Sequence, residues 1–428
     1  MKLLKTLTPV LAAAALFGGV AWAEFRFPMP EFQSGYTYPE MHTPMPGRTN
    51  DLWDTVLLAA ALGLAAWLVL KRRSRPAVFG LTLCSLAYFG FWRQGCICPV
   101  GSMQNVAEGI LGVEVVSIAV LSFFLLPLIF ALFFGRVFCA AVCPLGAIQE
   151  VVAVRPVMLP RAVDRVLGFV PYIYLALTIL AVSTGSGYLI CRYDPFVGFF
   201  RLGASLNMFL AGGVLLLTGL FIGRPYCRFL CPYGVLLGWM SRFSKWHASI
   251  TPRECIQCRL CENACPYGAI NIPTPDKTPL TAKEGARKLG VLLALTPILI
   301  AIGALTGLFS YPMLARIHPT VQLASRIAGE EAGRYQGMTI ESEAFRAGVK
   351  TQDELYAEAH AIRADFKWKT ALCGAFLGLV IAVTLASLSM AGCRDDYETD
   401  RRACVSCARC FPYCPVEKDE VAVAEQKT

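Results

Sequence analysis

The chain is 428 residues long, 56% hydrophobic and only 16% charged, with a net charge of +9 and eighteen cysteines. This is too apolar for a soluble protein of that size. The basic residues collect in short segments between apolar runs and form no basic–aromatic stripe, which fits membrane topology and excludes nucleic-acid binding.

Residues 1–23 begin with Lys2 and Lys5, run apolar from Leu7 to Val20 and close on Ala21-Trp22-Ala23. That is the pattern of a secretory signal peptide, and cleavage there leaves the mature N-terminus outside a bacterial inner membrane. Residues 24–52 are rich in Pro, Met and aromatic side chains and lack periodicity, which predicts a periplasmic extended segment lying on a protein surface. A five-span membrane domain is expected over 53–245, with passages near 53–70, 77–92, 115–134, 167–182 and 206–222. The basic knot Lys71-Arg72-Arg73-Ser74-Arg75 fixes the end of the first passage in the cytoplasm. Residues 246–288 carry a ferredoxin-type motif, 289–310 a sixth span, 311–369 a soluble helical periplasmic loop, 370–392 a seventh span and 393–428 a second ferredoxin-type motif. Seven passages from an outside start place both motifs in the cytoplasm. The expected fold is mainly α, a polytopic membrane helical bundle with a cytoplasmic two-cluster ferredoxin-like module split in sequence.

The two motifs are Cys255, Cys258, Cys261 and Cys265 before Pro266, and Cys404, Cys407, Cys410 and Cys414 before Pro415. Both read C-x2-C-x2-C-x3-C-P, the spacing with which bacterial-type ferredoxins hold [4Fe–4S] clusters, and the fourth cysteine of each then ligates the other cluster. A zinc site or a disulfide knot is the rival reading, and the twofold occurrence of the full spacing favours iron–sulfur. Cross-ligation gives one cluster on Cys255, Cys258, Cys261 and Cys414, and the other on Cys404, Cys407, Cys410 and Cys265.

Three further segments end on Cys-Pro-x-Gly beside an apolar span. In two of them a cysteine stands one helical turn earlier, giving the pairs Cys139/Cys143 and Cys227/Cys231. Thiols four apart share a helix face, and the span count puts both pairs at one membrane face, so these four predict another metal site. Buried inert thiols are the alternative. The third segment holds Cys96 and Cys98, and with Cys191 it falls at the opposite, periplasmic face. A metal centre there, with Asp194 as a possible further ligand, competes with a disulfide, since that compartment is oxidising. A C-x-C bridge is strained, whereas Cys96–Cys191 or Cys98–Cys191 is feasible.

Cys84 and Cys373 read as packing thiols, and Cys393 is left open. His42, His247, His318 and His360 are isolated, and no C-x-x-C-H is present for covalent haem. Glu262, Glu330, Glu331 and the charges over 353–358 read as solvated faces.

With both kinds of motif in hand, the chain resembles the NapH/NosR-type membrane polyferredoxins over residues 115–266 and 404–415. The resemblance implies electron transfer between the quinone pool or a cytoplasmic donor and a periplasmic flavoprotein, cytochrome or reductase, within a hetero-oligomeric complex. It lacks the flavin attachment sequence of the NosR kind, and its ferredoxin motifs are unusually far apart. An iron–sulfur sensor, metal-ion reductase or assembly factor is the alternative. A transporter would want ionisable residues inside the spans, which hold almost none.

Overall fold

Among the described residues, each apolar run folds as helix. The computed structural model describes residues 48–95, 98–111, 116–154, 157, 159–201, 206–250, 255–274, 282–389 and 394–416, all within the unit Arg48–Thr428. The signal peptide, most of the extended leader, Cys96 and Cys393 lie outside the described residues.

The first apolar run is the helix Arg48–Trp67, prolonged by a π turn over Leu68–Arg72. The second is Arg75–Ser85, prolonged by a π stretch over Leu86–Trp92. The helix Ile118–Phe134 comes next, capped by Ser117, whose hydroxyl accepts from the Val120 N–H. It stops at Gly135, where φ is +75° and a side chain would be strained. The helices Val170–Ser183 and Leu206–Gly219 complete this part. Four stretches are long and apolar enough to cross a membrane by themselves: Asp51–Arg72, Ala162–Ser183, Lys283–Ile317 and Gln352–Leu388. Ile118–Phe134 and Leu206–Gly219 are apolar but shorter.

Inside the first run Asp54 is 1% exposed. Its Oδ1 accepts from the Tyr88 hydroxyl at 2.9 Å, and Oδ2 faces Arg93 at 2.5 Å, so the buried charge is paired across two helices.

The junction at 369–370 between the expected helical loop and the expected seventh span falls inside one helix. Gln352–Ser389 is one unbroken 38-residue helix. No proline falls within it, and Asp365 and Lys369 pair one turn apart at 2.5 Å at the junction, so nothing stops the helix there. Its polar half packs on Pro319–Glu331 through Val321, Ala324, Ile327, Leu355 and Ala359. Glu330 is not a solvated residue. Arg326 Nε donates to it at 2.8 Å, Arg346 at 3.0 Å and Ser342 at 3.0 Å, which ties Pro319–Glu331 to Ile340–Ala347.

The apolar half of Gln352–Ser389 lies against Ala282–Leu314, and both helices carry a G-x-x-x-G stripe: Gly303 and Gly307, and Gly374 and Gly378. A Cβ at Gly303 would strike the Gly374 carbonyl, one at Gly307 the Thr370 carbonyl, and one at Gly378 the Leu299 carbonyl. Absent side chains let the two backbones touch, which is how apolar helices associate where burial from water provides no drive.

The main core centres on residues 137–147 together with Tyr226, Tyr233 and Leu237, and it extends to Tyr267, Val405, Cys407 and Ala408. The cysteine-bearing segments therefore sit inside the molecule. The residues after the last helix return to the middle of the chain. Their two-residue strand Glu398–Thr399 pairs antiparallel with Ile270–Asn271, in the register Ile270 with Thr399 and Asn271 with Glu398.

Replacing Gly303 with Leu should force the two long helices apart at a cost on the order of 1–3 kcal/mol. The expected reading is a lower thermal midpoint in detergent, and an unchanged midpoint would contradict the backbone contact.

Candidate functional site

Residues 135–146 and 223–234 share the pattern Gly-Arg-x-aromatic-Cys-x3-Cys-Pro-x-Gly. In each copy the second cysteine is the N-cap of a helix that begins with proline, Cys143 on Pro144–Val152 and Cys231 on Pro232–Arg242. Proline suits the first helical position because its missing N–H needs no partner there. It also drives the cysteine before it into extended backbone, with ψ of 117° and 110°.

The turn between the two cysteines is wider than the single α turn expected from the spacing. The Cys143 N–H donates to the Phe138 carbonyl at 3.0 Å, and the Cys231 N–H to the Tyr226 carbonyl at 2.9 Å, each five residues back. In the first copy Phe138–Val142 is a π turn, whereas in the second Pro225–Phe229 is α and only the closing bond reaches five residues back.

The closing glycine of each copy has two roles. Its N–H points back at the capping thiol, with Gly234 N to Cys231 Sγ at 3.3 Å and the Gly146 backbone bonding Cys143 likewise. Its missing side chain also makes room for the other copy. A Cβ on Gly146 would meet Arg224 Nη1 at 3.2 Å and Cys227 Sγ at 3.6 Å, and one on Gly234 would meet Arg136 Nη2 at 3.3 Å. The two copies thus interlock, and Cys139, Cys143, Cys227 and Cys231 come within electrostatic range of one another.

Burial, reinforced by Cys227, Cys139 and Cys231, pushes the Cys143 thiol well above its ordinary value. Burial also pushes Cys227 up to about 11, with Arg224 pulling against it. Four thiolates in this enclosure need positive charge among them, and metal binding supplies it by displacing the protons. The donors around them fit that use: Gln149 Nε2 lies 3.5 Å from Cys227 Sγ and Arg136 Nη2 lies 3.9 Å from Cys139 Sγ. Among the described residues no three His, Cys, Asp or Glu side chains converge on a single-ion position.

Glu150, 3% exposed, joins this thiol set to the ferredoxin motifs. Its Oε2 accepts from Arg224 Nε at 2.9 Å and from the Tyr267 hydroxyl at 3.1 Å. Its Oε1 accepts from Arg409 Nη2 at 2.6 Å and from Arg75. Arg224, 1% exposed, also donates to the carbonyls of Cys139 and Ala140, while Arg75 donates to the Cys407 carbonyl at 3.0 Å. Burial pushes the Glu150 carboxyl up, but Arg224, Arg409 and Arg75 outweigh it and hold it well below the usual carboxylate range.

The two ferredoxin-type loops fold alike. Gln257 and Arg259 in the first, and Ser406 and Ala408 in the second, all take positive φ between 50° and 63°. Four non-glycine residues in the left-handed region at matching positions mark a loop wound tightly by demand of its site. The Ser406 N–H points at Cys404 Sγ at 3.4 Å.

Cys404, Cys407, Cys410 and Cys265 line one small cavity of about 20 Å³, together with Ile250, Tyr267, Val405 and Phe411. Phe411–Tyr413, which leads into Cys414, packs against Leu260–Ala264, which carries Cys261. The Thr399 hydroxyl donates to the Ala248 carbonyl at 2.8 Å and the Ser241 hydroxyl to the Arg401 carbonyl at 2.6 Å, so the tail is hydrogen-bonded along its length.

Cys98 and Cys191 lie near one another, and a Cβ on Gly101 would meet Cys191 Sγ at 3.3 Å. Asp194 is 4% exposed; its Oδ2 accepts from the Tyr226 hydroxyl at 3.0 Å and its Oδ1 from the Phe196 N–H at 2.9 Å. Cys84 is exposed, and Cys373 donates to the Ala176 carbonyl at 3.5 Å, a helix-packing contact. Arg136, Gln149, Glu150, Arg224 and Tyr226 were not singled out from the sequence. The repeated Gly-Arg ahead of each Cys-x3-Cys was the available signal for the arginines, whereas nothing in the sequence marks Glu150.

A profile described as "4Fe-4S binding domain" matches residues 116–161 and 205–251, one match for each copy of the repeat, and a second such profile matches 248–271. The chain is similar to the YccM protein of Escherichia coli (strain K12), 28% identical over 39% of this chain and 52% of YccM. It is similar to the ferredoxin-type protein NapH of the same organism, 27% identical over 47% of this chain and 75% of NapH. It is also similar to the regulatory protein NosR of Pseudomonas aeruginosa, 30% identical over 50% of this chain and 33% of NosR. The chain thus spans about half the length of YccM and a third of NosR. No solved structure matches.

Glu150→Gln should cost about 3 kcal/mol or more, because it leaves buried guanidinium groups without their anion. A carboxyl whose folded value is depressed stabilises the fold above its ordinary value of 4.5 and loses that contribution as pH falls through the folded value. Thermal unfolding in detergent should therefore show a wide gap between wild type and variant at pH 7 that narrows below about pH 4.5.

Proposed function

We propose that this relative of the NapH/NosR-type membrane polyferredoxins is a membrane iron–sulfur subunit that moves electrons across the bacterial inner membrane, between a quinol or cytoplasmic donor and a periplasmic redox partner. The observation that carries the reading is the sequence of thiol sets through one bundle. The cavity of Cys265, Cys404, Cys407 and Cys410 is joined by the Glu150 network to the set Cys139, Cys143, Cys227 and Cys231. A further pair, Cys98 and Cys191, lies close to Asp194, which accepts from the Tyr226 hydroxyl.

In this reading the first cluster is held by Cys255, Cys258, Cys261 and Cys414, the second by Cys404, Cys407, Cys410 and Cys265, and a third by the four interlocked thiols. A bound [4Fe–4S] cluster supplies one-electron chemistry at a potential set by hydrogen bonds to sulfur, nearby charge and access of water. The chain's own contribution is to set those three quantities. Arg136, Gln149 and the glycine N–H groups aim donors at sulfur, and Tyr226, Tyr233 and Phe138 exclude water.

About seven passages after a cleaved signal peptide bring both ferredoxin-type motifs to the cytoplasmic face. The division of domains along the chain is the one expected from the sequence. The four long apolar helices, the shorter Ile118–Phe134 and Leu206–Gly219, and the helical stretch 75–92 are the material for those passages. Residues 24–50 and the loop 311–369 supply the periplasmic docking surface. A regulatory reading, in which the clusters sense redox state, draws on the likeness to NosR, which is named a regulatory protein.

Iron and acid-labile sulfide in the purified protein test this. About eight iron per chain are expected from the ferredoxin pair and about twelve with the interlocked set, whereas zinc without sulfide sinks the reading. Cys265→Ser should abolish the signal of the cluster on Cys404–Cys410 more than that of the cluster on Cys255–Cys261, as read by electron paramagnetic resonance after reduction. The reverse order would exclude cross-ligation.

A further inference from the structure

Two apolar spans reach their ends at one cavity. The stretch Ala162–Ser183 begins there with Asp164 and Arg165, and Gln352–Leu388 finishes there with Ser387 and Leu388. A third apolar helix, Ile118–Phe134, meets the segment just past Arg242 of the cavity wall, the Phe133 carbonyl accepting from the Trp246 N–H at 2.8 Å. Phe243 and Trp246 are 71% and 50% exposed at this level, as aromatic side chains are where hydrocarbon meets water. The cavity therefore lies at a membrane boundary. Its volume is about 760 Å³, a size at which proteins bind small ligands.

Six arginines line it: Arg165, Arg228, Arg242, Arg394, Arg401 and Arg402. They come from the foot of Ala162–Ser183, from Pro225–Phe229, from the end of Pro232–Arg242 and from the tail. Four carboxylates oppose them, Asp164, Glu262, Glu398 and Asp400, which leaves two positive charges over. Arg228 is paired with Asp164 at 2.7 Å, and Arg394 faces Glu398 at 3.7 Å. Asp400 Oδ1 accepts from the Arg402 N–H at 2.9 Å. Arg165 and Arg242, by contrast, are exposed, and among the described residues their side chains have no hydrogen bond or ion pair.

Basic residues at a membrane boundary are ordinary signals of topology and need share no site. Here they converge from four segments on one volume whose wall also holds Leu159, Ile270, Ile272 and Leu388. A second cavity of about 390 Å³ shares Arg165, Arg228, Leu388 and Arg402 with it and continues along Phe169, Pro171 and Tyr172. Arg402 joins the two, since its guanidinium donates to the Tyr172 hydroxyl and lies over that ring, 5.6 Å from the centroid. Excess positive charge at one end and an apolar slot along a span at the other match a lipid headgroup and the start of its chains. A soluble anion leaves the slot unfilled.

We propose that this cavity holds an anionic phospholipid, its headgroup met by Arg165 and Arg242 and its chains lying along Phe169, Pro171 and Leu388. Guanidinium forks suit phosphate, because two parallel N–H donors meet two oxygens. The bound lipid ties the foot of Ala162–Ser183 to the arginines of the tail that carries the second ferredoxin-type loop. None of this depends on what the thiols bind.

The test uses the full chain, purified and delipidated in detergent, titrated with dioleoylphosphatidylglycerol in mixed micelles. Binding is read by native mass spectrometry and by the thermal midpoint, which should rise with this lipid and stay put with dioleoylphosphatidylcholine. Each basic residue near an anionic lipid contributes about fivefold in affinity, so Arg165→Gln combined with Arg242→Gln should weaken binding about thirtyfold. Both residues are exposed, so the lipid-free midpoint should not move. Lys71→Gln combined with Arg72→Gln removes the same charge from exposed positions at the end of another span and should leave the affinity unchanged. Equal losses in the two double variants show general surface attraction and overturn the proposal. Equal stabilisation by phosphatidylcholine, or none by either lipid, overturns it too. Inorganic phosphate or glycerol 3-phosphate protecting as well as the lipid does the same and marks a soluble phosphate ligand. Iron and sulfide play no part in these readings, so the electron-transfer reading stands or falls separately.

Discussion

The carboxylate of Glu150 is the point on which the interior depends. It faces Arg224, Arg409, Arg75 and the Tyr267 hydroxyl at once, and each comes from a different part of the chain. Such a cluster adds little net stability over an apolar core, because desolvating the charges offsets most of their attraction. Its contribution is specificity. Arg224 is committed to the carbonyls of Cys139 and Ala140, Arg75 to that of Cys407, and a single anion fixes their relative positions. A shift of the tail by one hydrogen bond would leave a buried guanidinium without its partner.

Around that anion the two copies of the cysteine repeat are alike in backbone and unlike in surroundings. Each uses proline to end a wide turn, cysteine to cap the next helix, and glycine to admit the other copy's arginine. Arg224 meets Glu150, whereas Arg136 donates to the Arg402 carbonyl at 3.2 Å, the position equivalent to Glu150 being Gly238. The broken symmetry gives the tail its place: Gly238 leaves room for Arg402, whose Cγ a Cβ there would meet at 3.4 Å.

The two long helices explain how the tail can return at all. Ala282–Leu314 leaves the core and Gln352–Ser389 comes back, and their backbones meet at the glycines of two G-x-x-x-G stripes. Among the described residues, none in the apolar window of the first helix is buried. The hairpin is therefore attached to the bundle chiefly by the second helix and by the cysteine-bearing tail. The strand pair between 270–271 and 398–399 and the shared cavity of Cys265 with Cys404, Cys407 and Cys410 close a loop of more than a hundred residues. Closing so long a loop costs only slightly more entropy than closing a short one, and a few buried hydrogen bonds at the junction suffice to offset it.

The sequence by itself determined the helical runs and the two loops of C-x2-C-x2-C-x3-C. Apolar length, cysteine spacing and proline position are local properties, and each has few structural solutions. It did not reveal the unbroken helix through residue 369, because charge composition reports solvent exposure and not the end of a helix. The π form of the turn Phe138–Val142 was hidden as well, since a spacing of four suits either geometry. Only the tertiary structure decided the role of Glu150. A lone glutamate in an apolar helix becomes a junction when arginines arrive from residues 75, 224 and 409, and no local pattern records that arrival. The same holds for the contact between Asp194 and the Tyr226 hydroxyl, because which oxygen meets which hydroxyl is settled by packing between segments far apart in the chain.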